Sequence, residues 1–266
     1  MTLLSAKLLL VIVAYHPRAE EVERLLACLE ALEPEVAYGV VVNDHRPGEP
    51  VEKLEAGAVL FLRQAANLGY GRAFNRAVAA LEGQGPLPAW IGALNTDLTW
   101  QPGTFETLLA WLEQQPEVVL AVPQITDAEG RPERLCKADP TMLALFSRRF
   151  VPERFKPGWL RRYDRRYEMA DRDSASVFEV PYLSGCCMLI RSRALQQVGG
   201  FDERFFLYLE DADLTRQLRA LGRCVHLPVA RVRHVWGRGN HKSLRLTAVN
   251  LKSAWLYFRK WGWRWW

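Results

Sequence analysis

Ala89-Trp90-Ile91-Gly92-Ala93-Leu94-Asn95-Thr96-Asp97 is an apolar run that stops at three polar residues. It is too short for a helix and reads as a buried strand over 89–94 that ends at Asn95. The same pattern recurs on its N-terminal side, where residues 8–14, 38–42 and 58–62 are short apolar runs. Segments of helical period lie between the runs. Residues 18–32 align Val22, Leu25, Leu26, Leu29 and Leu32, and residues 72–81 align Phe74, Val78 and Leu81. On the C-terminal side, residues 102–115 read as a helix with Pro102 in its first turn, and 118–122 as another strand. Alternation of this kind predicts an α/β fold with a mostly parallel central sheet flanked by helices on both faces. Such sheets bind ligands at the carboxyl ends of their strands. The polar residues that follow each run are therefore the ones of interest: Tyr15-His16, Asn43-Asp44, Asn67 and Asn95-Thr96-Asp97.

The second half differs. Residues 148–173 hold nine basic side chains against five acidic ones and read as an irregular insertion, either solvated or a flap over a site. Residues 177–190 are apolar around Ser184-Gly185, and Gly199-Gly200-Phe201-Asp202 is a turn. A helix over 210–221 aligns Leu214, Leu218 and Leu221, and two short strands, 224–227 and 230–234, are interrupted by Pro228. Leu244, Ala248, Leu251, Trp255 and Phe258 mark one face of a terminal amphipathic helix. The expected organisation is a catalytic-sized domain over 1–235, in halves 1–123 and 124–235, and a helical tail over 236–266.

Composition limits the classes that remain. Of 266 residues 49% are hydrophobic and 24% charged, which excludes a disordered or low-complexity chain. The five cysteines, Cys28, Cys136, Cys186, Cys187 and Cys224, have no CxxC or zinc spacing, so a reducing compartment is expected. No apolar stretch reaches the length of a membrane span, and the run after Lys7 reads as a first strand rather than a leader. The net charge of +5 is concentrated at one end. Residues 1–230 carry 26 basic against 30 acidic side chains; residues 231–266 carry nine basic, no acidic, and six of the ten tryptophans. Basic and aromatic together suit an anionic, partly apolar partner, best a membrane surface, with nucleic acid as the rival.

Four clusters could carry chemistry. Asp97 could hold a hard divalent cation or serve only in an Asx turn. Glu210-Asp211-Ala212-Asp213 places three acids in a first helical turn, which suits the helix dipole but could also supply a general base. His234, followed by the glycine-rich Trp236-Gly237-Arg238-Gly239, is a structural histidine or a metal or phosphate ligand, with Arg238 and Lys242 as phosphate partners. Asn67-Leu68-Gly69-Tyr70-Gly71-Arg72 precedes a helix N-terminus, where glycines allow close approach of an anion. It is neither GxGxxG nor a P-loop, which disfavours a Rossmann dehydrogenase or a Walker ATPase.

Taken in order, these pieces resemble the family-2 inverting glycosyltransferases of the GT-A fold, over about residues 8–260, and their bacterial rhamnosyltransferase-like subgroup. The most specific part is Gly199-Gly200-Phe201-Asp202-Glu203-Arg204-Phe205-Phe206 followed by Glu210-Asp211-Ala212-Asp213-Leu214. Val41-Val42-Asn43-Asp44, Asn67 through Asn75, and Leu94-Asn95-Thr96-Asp97, an Asn-x-Asp version of the DxD motif, support it. The resemblance implies a donor site built from Tyr15, His16, Asn43, Asp44, Asn67, Gly69, Arg72, Asn75, Asn95, Thr96 and Asp97. It implies Mg²⁺ or Mn²⁺ on Asp97 and His234, Asp211 as general base, and Ser184, Gly185 and Glu210 on the acceptor side. The implied donor is a UDP-, dTDP- or GDP-sugar. The implied acceptor is a saccharide, possibly lipid-linked, met in the cytoplasm or at the inner face of the membrane during surface polysaccharide synthesis; nucleic acid is not expected. Asn95 in place of the first acid of the metal motif leaves one carboxylate there and implies weak metal binding without donor. The competing readings are a nucleotidyltransferase of similar fold and a non-catalytic saccharide- or nucleic-acid-binding protein.

Overall fold

A computed structural model describes residues 5–183, 185–235 and 243–266. The expected contributions of Ser184, Trp236, Arg238 and Lys242 lie outside the described residues. Strands β1 (Leu8–Ala14), β2 (Val36–Val42), β3 (Leu60–Arg63) and β4 (Trp90–Asn95) alternate with helices α1 (Ala19–Glu30) and α2 (Tyr70–Glu82). Every residue of β1 and β2 is buried, the near-continuous apolar run of strands covered on both faces. Helix α1 turns Val22, Leu25 and Leu29 to the sheet, and α2 turns Phe74, Ala77, Val78 and Leu81.

The chain continues through β5 (Leu98–Trp100), α3 (Thr104–Glu113), β6 (Val118–Thr126), β7 (Cys136–Lys137), α4 (Met142–Phe150), α5 (Gly158–Tyr167), β8 (Phe178–Glu179), β9 (Tyr182–Leu183) and β10 (Cys187–Arg191). It closes with α6 (Ser192–Val198), α7 (Glu210–Leu218), β11 (Arg223–His234) and α8 (Leu244–Trp261). The main sheet has the order β3-β2-β1-β4-β10-β6-β11-β5, with β8 also paired to β11. β1, β2, β3 and β4 run parallel, as do β6 and β11, but β10 enters antiparallel between β4 and β6. The sheet is therefore mixed in its second half.

Local differences from the sequence reading have identifiable causes. Helix α3 starts at Thr104, because Gly103 (φ +80°) turns the chain in the left-handed region and leaves Pro102 outside. The basic insertion is ordered as α4 and α5. Buried Asp164 on α5 accepts from Ser147 Oγ at 2.7 Å and Lys156 Nζ at 2.6 Å, which ties the two helices together. Pro228 does not divide β11; the strand absorbs it in a register shift between Leu227 and Arg231 opposite β6. The five cysteines are free thiols.

Helix α8 packs in a second core with Tyr182, Phe205, Leu209 and Ala212, and of the expected face only Phe258 takes part. Ser253, Tyr257 and Phe258 are buried, whereas Leu244, Leu251 and Trp255 are exposed. Its end is fastened to α7. Asp213, fully buried, accepts from Trp261 Nε1 at 2.7 Å, Lys260 Nζ at 2.8 Å and Gln217 Nε2 at 2.8 Å. Beyond it, the carbonyls of Arg264 and Trp265 accept from the Met142 and Leu143 amides at the start of α4.

Candidate active site

Two cavities meet above the carboxyl ends of β1, β2 and β4. The first, about 500 Å³, is lined by Tyr15, Asn43, Asn67, Gly69, Asn95, Thr96 and Asp97 among the expected donor residues. It is closed by Tyr70 and Phe206, which stand in quoted motifs without an assigned role, and by side chains that no motif marked: Glu21, Leu207, and Arg245 with Leu246 and Val249 of α8. Buried Asn43 spends its amide on the backbone, donating to Gly69 O at 3.3 Å and accepting from Leu68 N at 3.1 Å. It thereby fixes the turn before α2. Gly69 (φ +85°) is required there, since a Cβ would stand 2.2 Å from the carbonyl oxygen of Phe206.

Four expected donor residues lie elsewhere. His16 (φ +45°) bonds Glu49 through Nδ1 and Asp44 through Nε2 at 3.0 Å. The bond to Glu49 raises its pKa above the usual histidine value, and the bond from His16 lowers that of Asp44. The pair braces the loop after β2 and does not line the cavity. Arg72 pairs with Glu203 at 3.0 Å, at the surface. Asn75 holds the glycine turn: its Oδ1 accepts from Phe201 N at 2.9 Å and its Nδ2 donates to Phe201 O at 2.8 Å.

Asp97 and His234 are 137 positions apart, yet pairing of β11 with β5, with His234 opposite Leu98, brings them side by side. His234 Nε2 is 3.1 Å from Asp97 Oδ2, and His234 Nδ1 is 3.2 Å from Glu133 Oε2. Burial alone would lower the His234 pKa; bonds to Asp97 and Glu133 reverse that and raise it. Asp97 Oδ1 is buried with no hydrogen-bond partner among the described residues. A carboxylate oxygen so placed, beside an imidazole whose other nitrogen is oriented by a carboxylate, fits a divalent cation completed by phosphate oxygens and water. Among the described residues no group of three or more His, Cys, Asp or Glu forms a metal cage, so protein ligation there is sparse.

The second cavity, about 640 Å³, is lined by Gly185, Glu210, Asp211 and Tyr182, and by Lys137 and Arg148. Asp211 stands in the first turn of α7. Its Oδ2 accepts from Gly185 N at 2.9 Å and its Oδ1 from Ala212 N at 2.8 Å. Burial raises its pKa, while the charge of Lys137 and these backbone bonds oppose the rise. Burial and the adjacent Asp211 push Glu210 up to about 8, and its Oε2 has no partner among the described residues. The charge of Asp211 thus favours the protonated form of its neighbour Glu210. Tyr208 (φ +70°) and Leu209 (φ +64°) lead into α7 in left-handed conformations, a costly backbone for non-glycine residues that the Asp213 anchor holds in place. Tyr70, which lines both cavities, donates its hydroxyl to Gly185 O at 3.0 Å.

The geometry agrees with what the chain is similar to. Residues 10–199 match the glycosyl transferase family 2 profile. The chain is 32% identical over 265 residues, 92% of its length and 85% of the relative's, to N-acetylglucosaminyl-diphospho-decaprenol L-rhamnosyltransferase of Mycobacterium tuberculosis, in strains CDC 1551 / Oshkosh and H37Rv. Among solved structures, GalNAc-T7 with UDP, GalNAc and Mn²⁺ superposes with a TM-score of 0.65 at 15% identity, over 96% of this chain and 48% of that one. Mannosyltransferase PcManGT from Pyrobaculum calidifontis, in complex with GDP-Man and Mn²⁺, superposes with a TM-score of 0.56 at 14% identity, over 88% of this chain and 59% of that one. The chain thus spans about half the length of the first of these structures, and the likeness is one of fold.

Proposed function

Since the chain belongs to glycosyl transferase family 2, we propose that this glycosyltransferase moves rhamnose, or a similar sugar, from a nucleoside diphosphate to a lipid-linked saccharide with inversion. The observation that carries the reading is Asp211, a carboxylate anchored by two backbone N–H groups in the second cavity, which adjoins the first. The sugar nucleotide occupies the first cavity, with its diphosphate toward Asp97 and Arg245. The acceptor hydroxyl enters from the second. Asp211 takes the hydroxyl proton as the oxygen attacks the anomeric carbon from the face opposite the leaving diphosphate. The anchoring amides aim its remaining lone pairs, and Gly185 leaves room for the hydroxyl, since a Cβ there would lie 3.1 Å from Asp211 Cβ. Glu210, protonated near neutrality, is available to donate to an acceptor oxygen. Asp97 and His234 would hold Mg²⁺ or Mn²⁺, which when bound offsets charge on the leaving diphosphate. No second carboxylate nucleophile is needed for a single displacement.

The same reading accounts for the surface. Leu244, Leu251 and Trp255 on α8 and Phe146 and Phe150 on α4 are exposed, beside Lys252, Arg259 and Arg149. We place this face at an anionic membrane surface on the cytoplasmic side, where a lipid-linked acceptor resides. Among the described residues no helix is long and apolar enough to cross a membrane.

The deciding experiment is a thermal-shift screen of UDP-, dTDP- and GDP-sugars with and without Mn²⁺, followed by product analysis. A metal-dependent rise with one nucleotide, and release of nucleoside diphosphate on adding acceptor, is expected, because a ligand that binds only the folded state raises its stability. Release of pyrophosphate would identify a nucleotidyltransferase instead, and no shift with any donor would favour a binding protein.

A further inference from the structure

The second cavity has a charge pattern that the transfer step does not use. Lys137 lies on β7, paired in register with Tyr182 on β9, and its Nζ sits 4.7 Å from the centroid of the Tyr182 ring. Among the described residues no carboxylate stands within ion-pair distance of it. It is partly buried, and burial lowers its pKa, an effect that the Asp211 charge opposes. Arg134 and Arg148 also line the cavity. These two share one counter-ion: Arg148 bonds Glu168, and Arg134 Nη1 lies 3.8 Å from the same carboxylate. The other acids around the cavity are committed elsewhere. Glu133 orients His234, Glu210 holds its proton up to about pH 8, and Asp211 is anchored by backbone amides. Three cations therefore face the cavity, and among the described residues Glu168 is the one carboxylate within 4 Å of any of them. A partly desolvated ammonium with no carboxylate at ion-pair distance is costly until an anion arrives, and two guanidinium forks in the same cavity match the oxygens of a phosphate.

We propose that Arg134, Lys137 and Arg148 form an anion site for a phosphate or diphosphate carried by the acceptor, next to the sugar whose hydroxyl faces Asp211. The site rests on the transferase reading above and adds its acceptor selectivity. The enzyme takes a saccharide through its charged linkage and discriminates against the same saccharide on a neutral aglycone. The charged link also orients the sugar, because it fixes one end of the acceptor while the reacting hydroxyl lies at the other. The lipid beyond the phosphate leaves between α4 and α8, whose Leu145 and Asn250 line the same cavity and whose outer faces carry the exposed aromatic and aliphatic side chains described above.

Two measurements decide it. In the first, geranyl diphosphate, which has neither sugar nor nucleotide, is titrated calorimetrically into the full chain saturated with nucleoside diphosphate and Mn²⁺, so that the donor cavity is filled. Binding is expected, weakened about tenfold or more in Lys137→Gln and in Arg134→Gln, the range for losing one hydrogen bond to a charged group. The Arg134 side chain is 58% exposed, so that variant keeps its fold and stands as the control for Lys137. No binding by the wild-type chain, or wild-type affinity in both variants, overturns the site. In the second, acceptor kinetics are compared for a diphosphate-linked N-acetylglucosaminyl lipid and a neutral alkyl N-acetylglucosaminide. The variants should raise KM for the charged acceptor by about tenfold with a smaller change in kcat, and leave KM for the neutral one unchanged. Equal effects on both acceptors overturn it. Absence of transfer to any acceptor would refute the transferase reading alone, since the titration still decides the anion site.

Discussion

Glu210→Gln tests the electrostatics of the site without any substrate. Glu210 is 6% exposed, its Oε2 is unpartnered among the described residues, and its pKa rises from 4.5 to about 8. In the unfolded chain the same carboxyl titrates near its ordinary value. Between these limits the folded state holds a proton that the unfolded state has released. Stability therefore falls as pH rises, by at most about 1.4 kcal/mol per pH unit. From pH 6 to 8 this amounts to roughly 2–3 kcal/mol, and for a chain of this size to a drop in Tm of roughly 5–10 °C. Glutamine cannot titrate, so the Tm of the variant should fall by that much less over the same interval. Asp211, relieved of a neighbouring charge, adds to the flattening. His234, whose raised pKa also makes stability fall with pH, is present in both proteins and cancels in the difference. Thermal melts followed by circular dichroism at pH 6, 7 and 8 suffice. Parallel curves for the two proteins would refute the argument that burial keeps Glu210 protonated.

Asp211→Asn should lower transfer by about 10²–10⁴-fold, the range for a lost general base, while calorimetry shows donor binding within twofold of wild type. Asp97→Ala should weaken Mn²⁺-dependent binding of the nucleoside diphosphate by about tenfold or more and leave metal-free binding nearly unchanged, measured by calorimetry with and without chelator. Ending the chain after Arg259 removes both Lys260 and Trp261 from buried Asp213. The uncompensated charge should cost about 3–5 kcal/mol, read from urea denaturation, whereas ending it after Trp261 should cost much less.

The parallel half of the sheet was legible because β1, β2 and β4 are apolar throughout and stop at polar residues, so their boundaries and the ligand-facing ends coincide. Residues 148–173 were not, because the helices there are held by one buried carboxylate, Asp164, rather than by an apolar stripe long enough to show a period. The terminal helix was located correctly but rotated wrongly. It carries two apolar faces, and the more regular one, through Leu244, Leu251 and Trp255, is the face left exposed. Within the site, the Asn95-Thr96-Asp97 turn and the Glu210-Asp211 pair stand out by composition and place. Glu133, Lys137 and Arg245 do not, since nothing local distinguishes them from surface charges; only the return of the chain along β6, where Glu133 N donates to Ile125 O, the pairing of β7 with β9 and the crossing of α8 bring them to the cavities. His16 and Asp44 showed the converse, polar residues at a strand end that satisfy one another.

Tyr70, Asn95 and Leu207 line both cavities, so the donor and acceptor chambers share a partition made of three side chains. Occupancy on one side restricts the rotamers of the partition and so shapes the other side. On the proposed reading the two substrates are thermodynamically linked: whichever arrives first organises part of the other's wall, and each must then tighten the binding of its partner by the same factor. A partition of this kind also makes futile hydrolysis a sensitive gauge. On the same reading water reaches the anomeric carbon from the acceptor chamber, so the rate at which donor is hydrolysed should report how well that chamber is filled.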